Sequence, residues 1–513
     1  MAFDANRPDL TIAVIGTGTM GRGIVQVSAA GGMNVIAFDE KAGGAQAAKD
    51  FSAKMLERNV EKGQMSPEAA KAAVDRITVA SSLAEVARAD VVVEAVFERL
   101  DIKQDLFEKL DAVCPPTTIL ASNTSSLPVT AIAARTKHPE RCGGMHFFNP
   151  VPLMRLVEVI PGLKTAPWVT EALMTIGRRM TREPVLCVDS PGFLVNHIGR
   201  GLGPETQRIL MEGIASIDEI DRILTGAPGF RMGPFTLGDM VGIDVGNAAM
   251  ASMYEQFFHE PAYAPTPLMA LRASGGLYGQ KSGSGWYTYK DGKKIEPVQA
   301  PVPPTRPKSI WVRPSDHNQD LQEPLLAYLK QQGFEVEGGT SPSKDALIVL
   351  TPIGYDVTTA VAELKYDGAR TVAVDVLFGL KGPRTVMVSP ATAPEYRDMA
   401  RAMMAADGQP VVVINDSPGF VAQRAVAALI NVGCNVAQRG VGVPGDIDKG
   451  AKLGLGYPYG PIEWGDRIGP KRVMFILERL HAFYQEPRYR PSAWMKRRVM
   501  LGLPLSAPEG TAR

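Results

Sequence analysis

The chain opens on a short apolar run, Ile12-Ala13-Val14-Ile15, of the length and character of a buried parallel strand. A polar, glycine-rich stretch follows, then a helix-like run from Arg22 to Gly31 and a second strand, Asn34 to Phe38, ending at Asp39. Ala42 to Lys62 is long, polar and helical in pattern, and Ser66-Pro67-Glu68 opens another helix. Further strands are predicted at Asp90 to Val96, Thr118 to Ala121, up to His146, and at Leu156 to Ile160. Strands alternating with helices predict a parallel, doubly wound sheet over residues 8–187. From Asp189 the pattern changes to helical. Asn196 to Glu212 reads as one helix, Asp218 to Leu224 follows, and helices dominate to about Ala273 within a domain at 188–296.

Residues 297–307, PVQAPVPPTRP, predict a semi-extended, solvated linker. Beyond it the α/β pattern returns over 308–415, with strands at Ser309 to Val312, Ala346 to Leu350, Thr371 to Val376, Thr385 to Val388 and Val411 to Ile414. Helices are expected at Leu321 to Gln332 and Pro394 to Ala406, and a second helical domain at 416–504. Asp416-Ser417-Pro418-Gly419-Phe420 repeats Asp189-Ser190-Pro191-Gly192-Phe193. The same displacement sets Ile220-Asp221 on Ile447-Asp448, Gly233-Pro234 on Gly460-Pro461 and Gly238-Asp239 on Gly465-Asp466. Identity at one fixed displacement over such a span marks a duplication. The fold class is therefore α/β then all-α, duplicated.

Length and composition change this picture little. At 513 residues there is room for about three to four domains. An apolar share of 45% with 21% charged residues is that of an ordinary globular protein. A net charge of +1 supplies no electrostatic case for nucleic acid or membrane partners. No apolar run reaches spanning length, and MAFDANRPDL lacks the basic start and apolar core of a signal peptide, so a cytoplasmic protein is expected. Cys114, Cys142, Cys187 and Cys434 are scattered, which fits buried thiols in a reducing compartment rather than disulfides or metal ligands.

The candidate chemistry starts in Gly16-Thr17-Gly18-Thr19-Met20-Gly21. Placed between a strand and a helix, Gly16 permits the tight turn, Gly18 lets the backbone approach a pyrophosphate, and Gly21 allows close helix packing. Asp39 ends the second strand, where a carboxylate accepts from a ribose diol and repels a 2′-phosphate, so the pattern points to NAD rather than NADP. Glu98 and Lys103 follow a strand end and are candidate cofactor neighbours, with capping or surface roles as the alternative. Ser122-Asn123-Thr124-Ser125-Ser126 sits at the next strand end, where helix capping is the plainer reading. Glu158 is a lone acid in an apolar strand and needs a partner. His146 is the natural one, and a histidine backed by a buried carboxylate makes a general base of fixed tautomer, or else a structural core pair.

IGTGTMGRGI, ASNTSSL, HFFNPVPLMRLVEVI and DSPGFLVNHIGRG, in that order and spacing, resemble the L-3-hydroxyacyl-CoA dehydrogenase family over residues 8 to about 290. The tandem architecture resembles its long bacterial members that act on 3-hydroxyadipyl-CoA in phenylacetate degradation. The resemblance implies NAD-dependent oxidation of a (3S)-3-hydroxyacyl-CoA thioester to the 3-oxoacyl-CoA without a metal. It implies His146 as the base, Glu158 as its partner, Ser125 on the substrate's 3-oxygen and Asn196 at the reacting part of the substrate. NAD contacts carry over to Gly16 through Gly21, Asp39, Glu98, Lys103, Ser125 and Asn149, and a family lysine before a glycine turn matches Lys281. The family's coenzyme A lysine matches Lys62, while a family serine upstream falls on Met55. The resemblance implies a dimerising helical domain, hence a homodimer, and the fixed-displacement repeat suggests instead an internal pseudo-dimer of the two helical domains. The 3-hydroxybutyryl thioester is the competing substrate, and Arg200, Arg208 and Arg231 are candidates for a second substrate carboxylate.

The second copy reads as inactive. Asn196 falls on Gln423, His146 on Ala373 and Glu158 on Thr385, no histidine lies between His317 and His481, and no glycine fingerprint occurs. A degenerate Rossmann-like domain that no longer binds nucleotide is expected. Two other readings compete for the whole chain. A hydroxyacid dehydrogenase acting on free acids would rely on a lysine, and a non-catalytic NAD-binding relative would have no need of an intact His146, Glu158, Ser125 and Asn196.

Overall fold

The computed structural model describes residues 3–315 and 318–510. The first half is built on eight strands: β1 (Thr11–Ile15), β2 (Asn34–Phe38), β3 (Ile77–Val79), β4 (Val91–Glu94), β5 (Ile119–Ser122), β6 (Cys142–Phe147), β7 (Leu156–Pro161) and β8 (Glu183–Leu186). They lie in the order β3-β2-β1-β4-β5-β6-β7-β8. All neighbours are parallel except the antiparallel pair β6–β7. The central strands are buried on both faces, which is why they read as continuous apolar runs. One face packs Val14, Val93 and Ile119 under Ile24 and Val25 of the first helix; the other packs Ala13, Val92 and Leu120 under Phe107 and Leu110. The strand order reverses between β1 and β4, and ligands bind outside the carboxyl ends of such a sheet.

After a helical region and a short hairpin, β9 (Tyr289–Lys290) with β10 (Lys293–Lys294), a second sheet follows. Its strands are β11 (Ile310–Val312), β12 (Leu347–Leu350), β13 (Thr371–Val374), β14 (Arg384–Val388) and β15 (Val411–Ile414), in that order across the sheet. Only β13–β14 is antiparallel. This succession of pairings is that of β4 to β8. Between the linker and β11 nothing corresponds to β1, β2 and β3, so the βαβ unit that would carry a glycine fingerprint is missing as a whole.

The chain forms two compact units, Met1–His197 with Arg439–Leu455, and Ile198–Gln438 with Gly456–Arg513. This revises the expected boundaries. The segment 439–455, read as part of the second helical domain, belongs to the unit of the first sheet. Its helix Pro444–Gly454 is stripped of side chains on one side: a Cβ on Gly454 would lie 2.9 Å from Val195 Cγ1 and 3.0 Å from Leu156 Cδ2. Backbone joins the same contact, with Val188 N–H donating to Val441 C=O at 3.2 Å.

Asn196 to Glu212 is two helices rather than one, Val195–Gly199 and Gly203–Met211. Gly201 and Gly203-Pro204 interrupt the run, since glycine and proline both weaken a helix interior. The break has a use in packing, because a Cβ on Gly201 would lie 2.6 Å from Leu429 Cα. Leu429 lies on the helix Ala422–Gln438, which runs unbroken. The strands expected in the second sheet are present to within a few residues, whereas β3 and β8 had no strong pattern. β3 is three residues long, and β8 carries Pro184 at the sheet edge. The linker is largely exposed but tethered, with Gln299 Nε2 donating to Asp218 Oδ2 at 3.0 Å and Arg401 donating to Ala300 C=O at 2.6 Å. All four cysteines are buried free thiols. Among the described residues no helix is long and apolar enough to cross a membrane.

Candidate active site

The glycine loop turns at Gly16, whose φ of +82° suits a residue without Cβ. Thr19 and Met20 begin the helix Thr19–Ala30. Asp39, at the end of β2, closes over this loop: Oδ2 accepts from Thr17 N at 2.6 Å and Thr17 Oγ1 at 2.7 Å, and Oδ1 accepts from Lys41 N at 2.9 Å. Burial opposes charge on Asp39, but these donors outweigh it and hold the carboxyl below its ordinary range. A Cβ on Gly21 would strike Gly16 C=O, whereas one on Gly18 would meet nothing within 4 Å. The loop is thus closed beneath and open above, at a helix N-terminus with an ionised carboxylate beside it. Those features suit the pyrophosphate and adenosine ribose of NAD.

Past β4 and β5 a second set of groups converges. Glu98 Oε1 accepts from Thr124 Oγ1 at 2.8 Å, Ser125 N at 2.8 Å and Ser126 N at 3.0 Å, and lies 3.2 Å from Ser125 Oγ. Burial pushes the Glu98 carboxyl up, but the Lys103 ammonium and these donors bring it below its usual value. Lys103 differs from the expectation of a direct cofactor neighbour. It is 1% exposed, and its ammonium lies 2.6 Å from Glu94 Oε1 and 3.3 Å from Glu98 Oε2. Glu94, not singled out from the sequence, also accepts from Ser122 Oγ at 2.6 Å. It is a lone acid ending an apolar strand, the same signal that Glu158 carries.

His146 on β6 and Glu158 on β7 are direct antiparallel neighbours. His146 Nδ1 lies 2.5 Å from Glu158 Oε2, with the histidine 5% and the glutamate 0% exposed. The other carboxylate oxygen accepts from Leu194 N at 2.9 Å and Val195 N at 2.8 Å. Glu158 is therefore saturated, and Nε2 of His146 takes part in no hydrogen bond among the described residues. Phe148 and Phe193 flank the imidazole, with ring centroids at 4.5 and 5.9 Å. Asn196, one residue beyond the Glu158 donors, gives Nδ2 to Ser125 C=O at 3.4 Å. These contacts, with the chain segment Leu194 to Asn196, link His146, Glu158, Asn196, Ser125, Glu98 and Lys103.

The remaining candidates are dispersed. Asn149 is exposed just past β6, and Asn123 Oδ1 accepts from Phe147 N nearby at 2.8 Å. Lys62 is exposed at the end of helix Gly44–Glu61. Lys281 lies in the other compact unit, 2.7 Å from the Asp244 carboxylate. Arg200, pushed down to about 10 by burial, Arg208, donating to Ala264 C=O at 2.6 Å, and the exposed Arg231 are in that unit too.

Residues 11–190 match the family "3-hydroxyacyl-CoA dehydrogenase, NAD binding domain", and residues 192–289 and 419–510 both match "3-hydroxyacyl-CoA dehydrogenase, C-terminal domain". The 3-hydroxyadipyl-CoA dehydrogenase of Escherichia coli K12 is 34% identical over 96% of this chain and 98% of its own. A probable 3-hydroxybutyryl-CoA dehydrogenase of Bacillus subtilis is 39% identical over 55% of this chain and 97% of its own. The crystal structure of an E. coli K12 3-hydroxybutyryl-CoA dehydrogenase superposes with a TM-score of 0.83 at 33% identity, covering 96% of this chain and 98% of that one. The chain belongs to the 3-hydroxyacyl-CoA dehydrogenase family.

Proposed function

We propose that this protein is a cytoplasmic NAD-dependent dehydrogenase that oxidises (3S)-3-hydroxyacyl-CoA to 3-oxoacyl-CoA, with His146 as general base. The observation that carries this reading is the 2.5 Å contact of His146 Nδ1 with the buried, saturated Glu158. The carboxylate keeps the proton of neutral imidazole on Nδ1 and leaves the lone pair on Nε2. Nε2 takes the proton of the substrate's 3-hydroxyl, and Glu158 stabilises the imidazolium that results. In the reverse direction Nε2 returns that proton to the ketone oxygen. Ser125 and Asn196 orient the 3-oxygen and the reacting carbons. NAD, when bound, supplies the hydride acceptor. Gly16 to Gly21 and Asp39 hold it; Glu98 and Lys103 set the loop of Ser125 against it, and Asn149 adds a contact. Lys62 holds the coenzyme A phosphates.

The second family match and the recurrence of the β4–β8 pairing pattern in β11–β15 support a duplication whose second half has lost the dinucleotide unit. In this reading the helical copies pair within the chain, as the contact of Gly201 with Leu429 and the ion pairs of Arg424 with Glu205 and Glu212, each 2.6 Å, support. The substrate favoured is the 3-hydroxyadipyl thioester, the one named for a relative that matches over 96% of this chain, with 3-hydroxybutyryl-CoA second. The test is NADH oxidation with acetoacetyl-CoA and with 3-oxoadipyl-CoA, for the natural protein and for His146→Ala. Turnover by the natural protein, its loss in the variant and retained NAD binding support the reading. Silence with both substrates, or undiminished turnover by the variant, overturns it.

A further inference from the structure

The second sheet, though without a dinucleotide unit, keeps a cavity of about 330 Å³ at the carboxyl ends of β11 and β12. Volumes of this order suit small ligands. In the first sheet the corresponding ends, those of β4 and β5, gather Glu98 and Ser125. The resemblance extends to how the ends are braced. Lys103 is the fourth residue of helix Leu100–Val113, and Gln322 is the fourth residue of helix Gln319–Gln331. Gln322 is 5% exposed and bonds both strand ends at once. Its Nε2 donates to Arg313 C=O and to Thr351 Oγ1, each at 2.7 Å, and its Oε1 accepts from Ser315 N at 3.0 Å. The brace is neutral where Lys103 is charged, and it is fully used, so it shapes the wall and leaves recognition to other groups.

Arg313 is one of those groups. It lines the cavity half-buried, and among the described residues no hydrogen bond or ion pair engages its guanidinium. A guanidinium carries five N–H donors, and Thr351 and Asn318 line the same cavity, the latter at the start of helix Gln319–Gln331, whose dipole favours negative charge there. Arg472 holds Asn318 Oδ1 at 3.2 Å and so fixes the helix start. Leu350, Ile353, Tyr355 and Phe475 give the lining apolar and aromatic surface, the last two with ring centroids 6.1 Å apart. Among the described lining residues the carboxylate is Glu363, which is exposed.

We propose that this cavity binds a small organic anion, a carboxylate on a short alkyl or aromatic body. The carboxylate pairs with Arg313, and the body lies against Tyr355 and Phe475. The site is distinct from the dehydrogenase site and needs no nucleotide.

Isothermal titration of the full-length protein with hexanoate and with benzoate tests this, with butylamine and benzyl alcohol as probes lacking the anion. Saturable binding of the carboxylates alone is expected, weakened about tenfold or more by Arg313→Gln, the loss of a charge-assisted bond. Ala360→Trp fills the cavity from its wall and should abolish binding. His146→Ala should leave binding unchanged, which separates this cavity from the dehydrogenase site. No binding at about 10 mM, a hundredfold above a working affinity near 0.1 mM, overturns the proposal. So does equal binding of the control probes, or binding indifferent to both Arg313→Gln and Ala360→Trp in folded protein.

Discussion

Glu158 lies directly opposite His146 across β6–β7, with Oε2 2.5 Å from Nδ1 and Oε1 held by the Leu194 and Val195 amides. Glu158→Gln keeps the shape and can keep both amide bonds, but presents an NH2 group to Nδ1. The imidazole must then carry its proton on Nε2, where a base is needed. By analogy with other His–carboxylate pairs, kcat should fall by about 10³–10⁴. KM for the thioester and Kd for NAD should stay within about threefold, because neither contact is lost. Steady-state kinetics with fluorescence titration of NADH checks this; an unchanged kcat would refute the role of the pair.

Asp39 is held ionised by Thr17 and Lys41 beside the open glycine loop. Asp39→Ala should raise the Kd for NAD by about one to two orders of magnitude, the size of charge-assisted bonds lost to a ribose. The ratio of NADP to NAD turnover should rise with it. KM for the acyl-CoA should not move.

Truncation after about residue 300 removes helix Pro444–Gly454, which covers Leu156 and Val195, and helix Ala422–Gln438, which faces Gly201. The uncovered apolar surface should make residues 1–300 aggregate, and whatever stays soluble should turn over poorly because the amides that hold Glu158 lose their support. Size-exclusion chromatography with an activity assay decides; a soluble, fully active 1–300 monomer would defeat the covering role.

Arg424 is fully buried between Glu205 and Glu212, with the Tyr484 hydroxyl at 2.8 Å. Arg424→Met leaves Glu205 buried without its nearest cation and should cost about 3–5 kcal/mol. Burial raises the Glu205 pKa, but Arg424 and Arg488 outweigh it and bring it below 4.5. A depressed carboxyl contributes stability above its unfolded pKa and loses it as pH falls. The Tm gap between natural protein and variant should therefore be full near neutrality and shrink as pH drops below 4.5.

Asp375 behaves with the opposite sign. Burial pushes it up to about 6 from 3.8, against the donors Gln423 Nε2 and Leu377 N. A raised carboxyl costs nothing while protonated in both states, and its cost grows as pH rises from 3.8 to about 6. Asp375→Asn keeps an acceptor for Gln423 and removes that cost. Scanning calorimetry should show the variant more stable by up to about 3 kcal/mol near pH 8 and level with the natural protein near pH 3.5.

What could be read along the chain is what depends on neighbours in sequence. The glycine fingerprint, the acid at the end of β2 and the apolar runs are local, because strand burial and tight turns leave their mark within a few residues. The lone acid in Leu156–Ile160 needed a partner for the same electrostatic reason that the structure then satisfies with His146. Glu94 carried that signal too, but its partner Lys103 sits on a polar helix whose buried face no local pattern reveals. The break at Gly201 and the passage of residues 439–455 into the first unit lay beyond such reading. Both depend on glycine faces meeting Leu429, Val195 and Leu156, residues remote in sequence. Close approach of two backbones is a property of folded packing, where the absence of a Cβ acquires its meaning only from the atom that would have occupied the same space.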